Sequence, residues 1–117
     1  MLNQIIINGF VVKDSELKNA GDKGEVLIFS IAHNQRVKNP NGHTTKRAIF
    51  IEVNLFGTLA RALFPHIKKG KEVELIGKFD ISYCEYNGEK LSKPFIRASE
   101  IILRGTNEQN ERIWKDT

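Results

Sequence analysis

The sequence predicts an all-β fold, a small five-stranded barrel with one short helix between strands 3 and 4. Five segments carry apolar residues in runs or in alternation, and polar segments containing Gly, Asn or Pro separate them. One segment, after the third strand, instead repeats its apolar residues at helical spacing. The barrel is predicted to take up residues 1–104, followed by a short polar C-terminal tail over residues 105–117. No second domain is predicted.

The first three strands come from apolar segments that end at turn residues. The first is Leu2–Val12, with a bulge or bend at Gly9, and the polar segment Asp14–Gly24 is predicted to be the loop that follows it. Val26–Arg36 is the second strand, and Arg47–Phe56 is the third. The turn residues between these two strands predict a long hairpin.

The helix is predicted directly after the third strand. Thr58 is placed to cap its first turn, and Leu59, Leu63 and Ile67 share one face because they are four residues apart. Pro65 falls inside this segment, so the helix is short, kinked or restarted there.

Two further strands follow the helix and complete the barrel. They are Glu74–Cys84 and Leu91–Leu103, joined across the turn pair Asn87-Gly88. Three strands, a helix and two more strands is the order of the OB-fold, a partly open barrel that binds oligonucleotides or oligosaccharides in many proteins.

The charge of the chain is unevenly distributed. The formal net charge is +4, but the span from Val26 to Lys71 has eight basic residues against one acidic residue, so it carries +7 and the rest carries −3 (4 − 7). A basic surface of this kind is what a polyanion requires. The alternative is that these Lys and Arg side chains only solvate strand edges and loops.

The third strand has one apolar face and one mixed face. The apolar set faces the core and consists of Ile49, Ile51, Val53 and Leu55. The other set consists of Phe50, Glu52, Asn54 and Phe56. A face that carries Glu and Asn is wet, so its two phenylalanines are exposed or cover something. Exposed rings beside cations bind single strands by stacking on bases. The alternative places both rings in a subunit interface or under a loop.

The second strand and its hairpin support the same face. Leu27, Phe29 and Ile31 are predicted to point inward, which leaves the alternate residues up to Arg36 outside. The hairpin that begins there is basic and would arch over a bound strand, unless it is only a solvated flexible loop. Its candidate contacts are Arg36, Lys38, Lys46 and Arg47.

Two tyrosines near the end of the fourth strand are further candidates for base stacking. Tyr83 shares its parity with Val73 and Leu75, so it is expected in the core unless a bulge intervenes. Tyr86 lies in the predicted turn and is expected to be exposed.

Other chemistries find little support in the sequence. The histidines and the single cysteine have no metal-ligand spacing, and there is no phosphate-binding glycine loop or nucleophile motif, so neither an enzyme nor a bound metal or cofactor is expected. Cys84 is expected to be a packing residue. One cysteine and the absence of a long apolar run indicate a cytoplasmic protein without a membrane span.

Four blocks of the chain, taken together and in order, resemble the bacterial single-stranded DNA-binding protein family. The resemblance spans about residues 1–104 and rests on IIINGFVVKDSELK (5–18), KGEVLIFSIAHNQR (23–36), FIEVNLFGTLA (50–60) and HIKKGKEVELIGKF (66–79). It implies an OB-fold protein that binds and protects single-stranded DNA without sequence preference in replication, repair and recombination. A homotetramer is favoured over a dimer. The family's stacking positions fall on Phe50 and Phe56, and its phosphate contacts near Lys68 and Lys69.

The chain also departs from the family pattern at three places. Arg36-Val37 replaces an aromatic residue at the start of the basic hairpin, and the segment Gly77–Gly88 is one residue short, so its aromatic residue corresponds to Tyr83 or is lost to Cys84. The tail ends at Trp114–Thr117 without an acidic tip, which puts recruitment of repair enzymes in doubt. The alternative function is a replisome interaction subunit that resembles primosomal replication protein N and mainly contacts proteins.

Overall fold

The computed structural model describes residues 1–104 in full and, in the tail, the backbone of residues 112–115. Seven strands follow one another in chain order: β1 Ile5–Val11, β2 Glu16–Asn19, β3 Glu25–Lys38, β4 Thr44–Phe56, β5 Glu72–Tyr86, β6 Glu89–Arg104 and β7 Arg112–Lys115. One α-helix, α1 (Thr58–Leu63), lies between β4 and β5.

Five of these strands close into a barrel. The order around it is β1-β5-β6-β4-β3, and β3 returns to β1 through the pairs Phe10–Ala32 and Val11–Ile31. All contacts are antiparallel except that between β4 and β6, which run parallel at Asn54–Arg97 and its two neighbouring pairs. This is the OB-fold predicted from the sequence.

The core of the barrel is formed by alternate residues of its strands, as predicted. Leu27 and Ile31 on β3 and Val53 and Leu55 on β4 are completely buried. Burial of apolar surface supplies most of the stability of such a core, at about 25 cal/mol per Å². Ile49 is only half-buried, since β3 and β4 leave the barrel at this point and continue as a free hairpin.

The helix is short and restarts at its proline, as predicted. α1 ends at Leu63, and a 3-10 turn, Phe64–His66, follows with Pro65 inside it. The predicted cap at Thr58 is wrong. Gly57, with a φ of 93°, precedes the helix, and no side chain caps it, so Thr58 is its first residue.

Two strands lie where the sequence predicted a loop and a tail. β2 falls within the predicted loop and pairs with β3, with Leu17 opposite Leu27 and packed against the core. β7 falls within the predicted polar tail and pairs with the end of β6, with Trp114 opposite Ile101. The rest of the tail, including the expected lack of an acidic tip, lies outside the described residues. In the part that is described, no helix has the length and apolar character needed to cross a membrane.

Candidate nucleic-acid interface

The candidate site is the outer face of β3 and β4, where a regular register sets the residues side by side. Ala32 pairs with Phe50, Ser30 with Glu52, and Ile28 with Asn54. Because neighbouring partners in a sheet point to the same side, the predicted mixed face of β4 continues onto β3. Through the parallel pair Asn54–Arg97 it extends onto β6 as well.

The two predicted phenylalanines occupy different environments on this face. Phe50 is 67% exposed, so its ring is open to a ligand. Phe56 is half-buried, and its ring lies close to two cations: the guanidinium carbon of Arg97 is 4.4 Å from the ring centre and the Nζ of Lys23 is 5.4 Å away. Both distances are in the range of cation–π attraction.

Arg97 and Lys23 were not identified from the sequence. Arg97 meets Phe56 only because β6 runs beside β4 in a parallel pairing that residues far apart in the chain create. Lys23 ends the 3-10 turn Gly21–Lys23 between β2 and β3, inside the segment predicted as a loop. The sequence signal that could have placed Arg97 outside the barrel is its position between two apolar residues, Ile96 and Ala98. Both of these neighbours are buried in the structure.

The basic hairpin of β3 and β4 divides its charges between two faces. Arg36 pairs with Lys46, and both share the parity of Phe50, as does Lys38. Arg47 pairs with Gln35 and therefore lies on the opposite face. The hairpin is paired up to Lys38–Thr44, so three of the four predicted basic residues line one face of a regular ladder.

The two tyrosines lie on opposite faces of the hairpin of β5 and β6. Tyr86 pairs with Glu89 and is 68% exposed, and continuous pairing back to Lys78–Arg97 places it on the same face as Asn54 and Arg97. Tyr83 has the other parity. The expectation that Tyr83 is a core residue is wrong, because it is 74% exposed.

The reason for the exposure of Tyr83 is the length of its hairpin. The bulge is on β6, where the pairs Ile76–Glu100 and Gly77–Ala98 skip Ser99, so the alternation of β5 continues through it. Tyr83 keeps the inward parity of Leu75, but β5 and β6 extend beyond the barrel and leave no core to face. The expectation that Cys84 is a packing residue is also wrong, because Cys84 has the parity of Tyr86 and is exposed on this hairpin.

Lys68 and Lys69 lie at a different end of the molecule. They belong to the turn that leads into β5, where the Lys69 backbone N–H donates to Asp14 Oδ1 at 2.9 Å and Lys68 Nζ lies 5.4 Å from the Phe64 ring centre. Tyr86 is at the far end of the 15-residue strand β5, which measures about 45 Å along its length at a rise of ~3.3 Å per residue. Only an extended ligand reaches both.

Two ion pairs adjust the charge around the site. Arg61 donates to both carboxylate oxygens of Glu25 at 2.7 and 2.8 Å, and this hydrogen bonding raises the pKa of the Arg61 guanidinium. Arg61 is therefore paired, although it belongs to the basic span. Lys93 Nζ lies 3.0 Å from Glu52 Oε1 and so offsets the acidic residue in the middle of the face.

Metal ions are bound in proteins by groups of side chains placed close together. Across residues 1–104, no group of three or more His, Cys, Asp or Glu side chains is arranged to hold a metal ion. The site consists instead of exposed rings, an amide and cations on a sheet surface. Groups of these kinds can bind a ligand by stacking, hydrogen bonding and charge.

Such a face, on a closed five-stranded barrel with a helix between its third and fourth barrel strands, defines the chain as an OB-fold binding domain. The model of the "Single-strand binding protein family" matches residues 2–103. The chain belongs to the single-strand binding protein family.

Known relatives are of moderate similarity. The chain is 29% identical over 104 residues to a single-stranded DNA-binding protein of Wolinella succinogenes, an alignment that covers 88% of this chain and 64% of the relative. It is 30% identical over 103 residues to the protein of that name from Aquifex aeolicus, with 88% of this chain and 70% of the relative covered. The chain thus spans about two-thirds of the length of these proteins.

A solved structure has the same fold. The structure described as the Plasmodium falciparum SSB complex with ssDNA aligns with a TM-score of 0.79 at 19% identity, over 90% of this chain and 96% of that one. At this identity the agreement concerns the fold of the barrel.

Proposed function

We propose that the chain binds single-stranded DNA with broad tolerance of sequence and protects it. The observation that carries this proposal is that Phe50 and Phe56 share one sheet face with three cations of the basic hairpin, Arg36, Lys38 and Lys46. Rings that stack on bases beside cations that follow phosphates are the common means of binding single strands. Membership of the family supports the same ligand.

The bound strand follows the outer face of the sheet. Bases stack on Phe50 and Phe56, Asn54 lies between these two rings, and Tyr86 extends the stacking surface onto the second hairpin. Lys68 and Lys69 hold phosphates at the other end of the barrel, which a strand reaches by wrapping round it. Arg47 and Tyr83 lie on the reverse faces of the two hairpins, so they contact DNA only where the strand crosses an edge.

The biological setting that fits this activity is DNA replication, repair and recombination in the cytoplasm, where single strands are exposed. The protein acts by reversible binding and not as an enzyme. It works as a homo-oligomer, with a tetramer favoured over a dimer. Support comes from β1, where Ile6 is 73% exposed and Phe10 is 44% exposed, since apolar residues of this size on one strand are typical of a surface that a second subunit covers.

The direct test compares labelled oligo-dT with duplex DNA of equal length, by fluorescence anisotropy over a range of salt concentrations. We expect strong preference for the single strand, and an affinity that falls with salt at a log–log slope of about −0.7 per phosphate neutralised. Equal affinity for both forms, or no response to salt, refutes the proposal. Undetectable DNA binding together with tight binding to a replisome protein identifies the alternative, a protein-interaction subunit.

A further inference from the structure

Asn54 presents an unusual atom at the centre of the outer face. Its side-chain oxygen Oδ1 is buried, and no described residue donates a hydrogen bond to it. A buried carbonyl oxygen in this state destabilises the protein that contains it. Its cross-strand neighbours are Ile28, which has no donor in its side chain, and Arg97, which has several.

Arg97 does not satisfy this oxygen because its guanidinium group lies over the Phe56 ring instead. Its Cζ atom is 4.4 Å from the ring centre, a distance at which the planar cation takes the place that a stacked base would take. Phe56 follows Asn54 by two residues on β4, so the ring and the amide belong to the same face and adjoin each other. Stacking on Phe56 therefore places a base next to the Asn54 side chain.

We infer that Phe56, Asn54 and Arg97 form a subsite that recognises one nucleobase by its edge as well as by its ring face. A base that enters the subsite takes the position of the guanidinium over Phe56, and Arg97 turns towards the phosphate backbone. An N–H group of the base then donates to Asn54 Oδ1. The inference rests on the proposed binding of single-stranded DNA and adds a base preference at one position to it.

The unpaired oxygen Asn54 Oδ1 favours a base with an exocyclic amino group. Asn54 Oδ1 is an acceptor, so it needs a donor that reaches past the ring edge. The amino group of cytosine projects from the ring, whereas the N3–H of uracil lies between two carbonyl oxygens that would face another oxygen. Among pyrimidines, the subsite therefore selects cytosine over uracil.

The test measures the affinities of the full chain for oligo-dC and oligo-dU of equal length at one salt concentration. These strands have identical backbones and no methyl group, so their affinity ratio isolates the base edge. A net hydrogen bond to a neutral partner corresponds to a factor of about two to ten in affinity. We expect the wild-type chain to bind oligo-dC about three- to tenfold more tightly than oligo-dU.

Two matched variants assign the effect to the amide. In Asn54→Val the ratio should fall to within about a factor of two of unity, while thermal stability is unchanged or higher because the buried unpaired oxygen is removed. Ser30→Val makes the same kind of polar-to-apolar change on the same face, directly opposite Glu52 and not opposite Asn54, and should keep the wild-type ratio.

The outcomes separate this inference from the proposed function. Tight binding of both strands with a wild-type ratio near unity overturns the base-reading subsite and leaves single-strand binding in place. A preference for oligo-dC that persists in Asn54→Val also overturns it, because the edge is then read elsewhere. Failure of the wild-type chain to bind either strand overturns both.

Discussion

The guanidinium carbon of Arg97 lies 4.4 Å from the centre of the Phe56 ring, so the half-buried aromatic ring of the face is covered by a cation. A base that stacks on Phe56 has to displace this group, which then becomes available to a phosphate. Phe50 has no such partner among the described cation–π contacts and is 67% exposed. Replacing a neighbouring cation should therefore alter DNA binding at Phe56 but not at Phe50.

For Arg97→Gln we expect weaker DNA binding at low salt and unchanged DNA binding at high salt. At low salt the affinity for oligo-dT should fall, and the log–log salt slope should become shallower by about 0.7, the value for one lost phosphate contact. At high salt, where charge contributes little, the variant should bind as well as the wild type, because the Phe56 ring is uncovered. Anisotropy titrations at several salt concentrations measure both quantities. A loss that grows with salt would show that Arg97 does not act through a phosphate.

Lys46→Gln and Arg47→Gln form a matched pair on adjacent positions of the basic hairpin. Lys46 shares the face of Phe50, whereas Arg47 lies on the reverse face opposite Gln35. We expect Lys46→Gln to weaken oligo-dT binding and to make the salt slope shallower by about 0.7, since one phosphate contact is lost. Arg47→Gln should change the slope by less than half as much. Equal effects in the two variants would mean that net charge, and not the face, determines binding.

The two tyrosines of the second hairpin allow a similar comparison. Tyr86 shares the face of Asn54 and Arg97, and Tyr83 points to the other side. Because both are more than two-thirds exposed, neither replacement should affect folding. We expect Tyr86→Ala to weaken binding of oligo-dT by ~1–3 kcal/mol, the usual value of one stacked base. Tyr83→Ala should have a smaller effect. The reverse order would place the strand on the opposite face of this hairpin.

Much of this arrangement could be predicted from the sequence because it follows from alternation along single strands. The core positions of β3 and β4 and the outward position of Phe50 depend only on parity, and the structure has them as predicted. Pairing between distant segments could not be predicted in this way. The position of Arg97 over Phe56 depends on the parallel contact of β4 and β6. The separation of Lys46 from Arg47 depends on β4 beginning at Thr44, three residues before the predicted start at Arg47.

Two errors concern adjacent residues near the end of β5. The sequence predicted Tyr83 in the core because its strand is apolar and alternating up to that point, and it predicted Cys84 as a packing residue because a lone cysteine is small and apolar. Alternation shows which side a residue faces but does not show where the barrel ends. β5 and β6 continue past it as a free hairpin, so inward parity there leads to solvent. The strand β2 was missed for the opposite reason: its segment is mostly polar and was predicted to be a loop, yet its Leu17 packs against the core.

A homo-oligomer should be detectable directly by light scattering at micromolar concentration. We expect a molar mass near four times the 13.3 kDa of the single chain for a tetramer, or near twice the mass of the single chain for a dimer. Ile6→Asp should lower the mass, because a charge on an exposed apolar residue of β1 opposes burial against a second copy. Val37→Asp, on the basic hairpin, serves as the control and should leave the mass unchanged. A 13.3 kDa species in the wild type would contradict the assembly.

Phe56→Ala should combine a binding effect with a small effect on stability. The ring is half-buried beside Arg97, so its loss removes some packing, and thermal unfolding should occur at a slightly lower temperature. Binding of oligo-dT should weaken by ~1–3 kcal/mol, as for one stacked base. Phe56→Leu, which keeps apolar volume but loses the aromatic face, should recover stability and not affinity. Recovery of both would mean that the ring only packs.

Phe50→Ala tests the central claim most directly, because this ring is exposed and its loss removes little from the fold. The measurement is the affinity for oligo-dT by anisotropy, together with the thermal unfolding temperature of the same sample. We expect the affinity to fall by ~1–3 kcal/mol while the unfolding temperature stays at the wild-type value. Undiminished affinity, with or without a lower unfolding temperature, would contradict the assignment of this sheet face to single-stranded DNA.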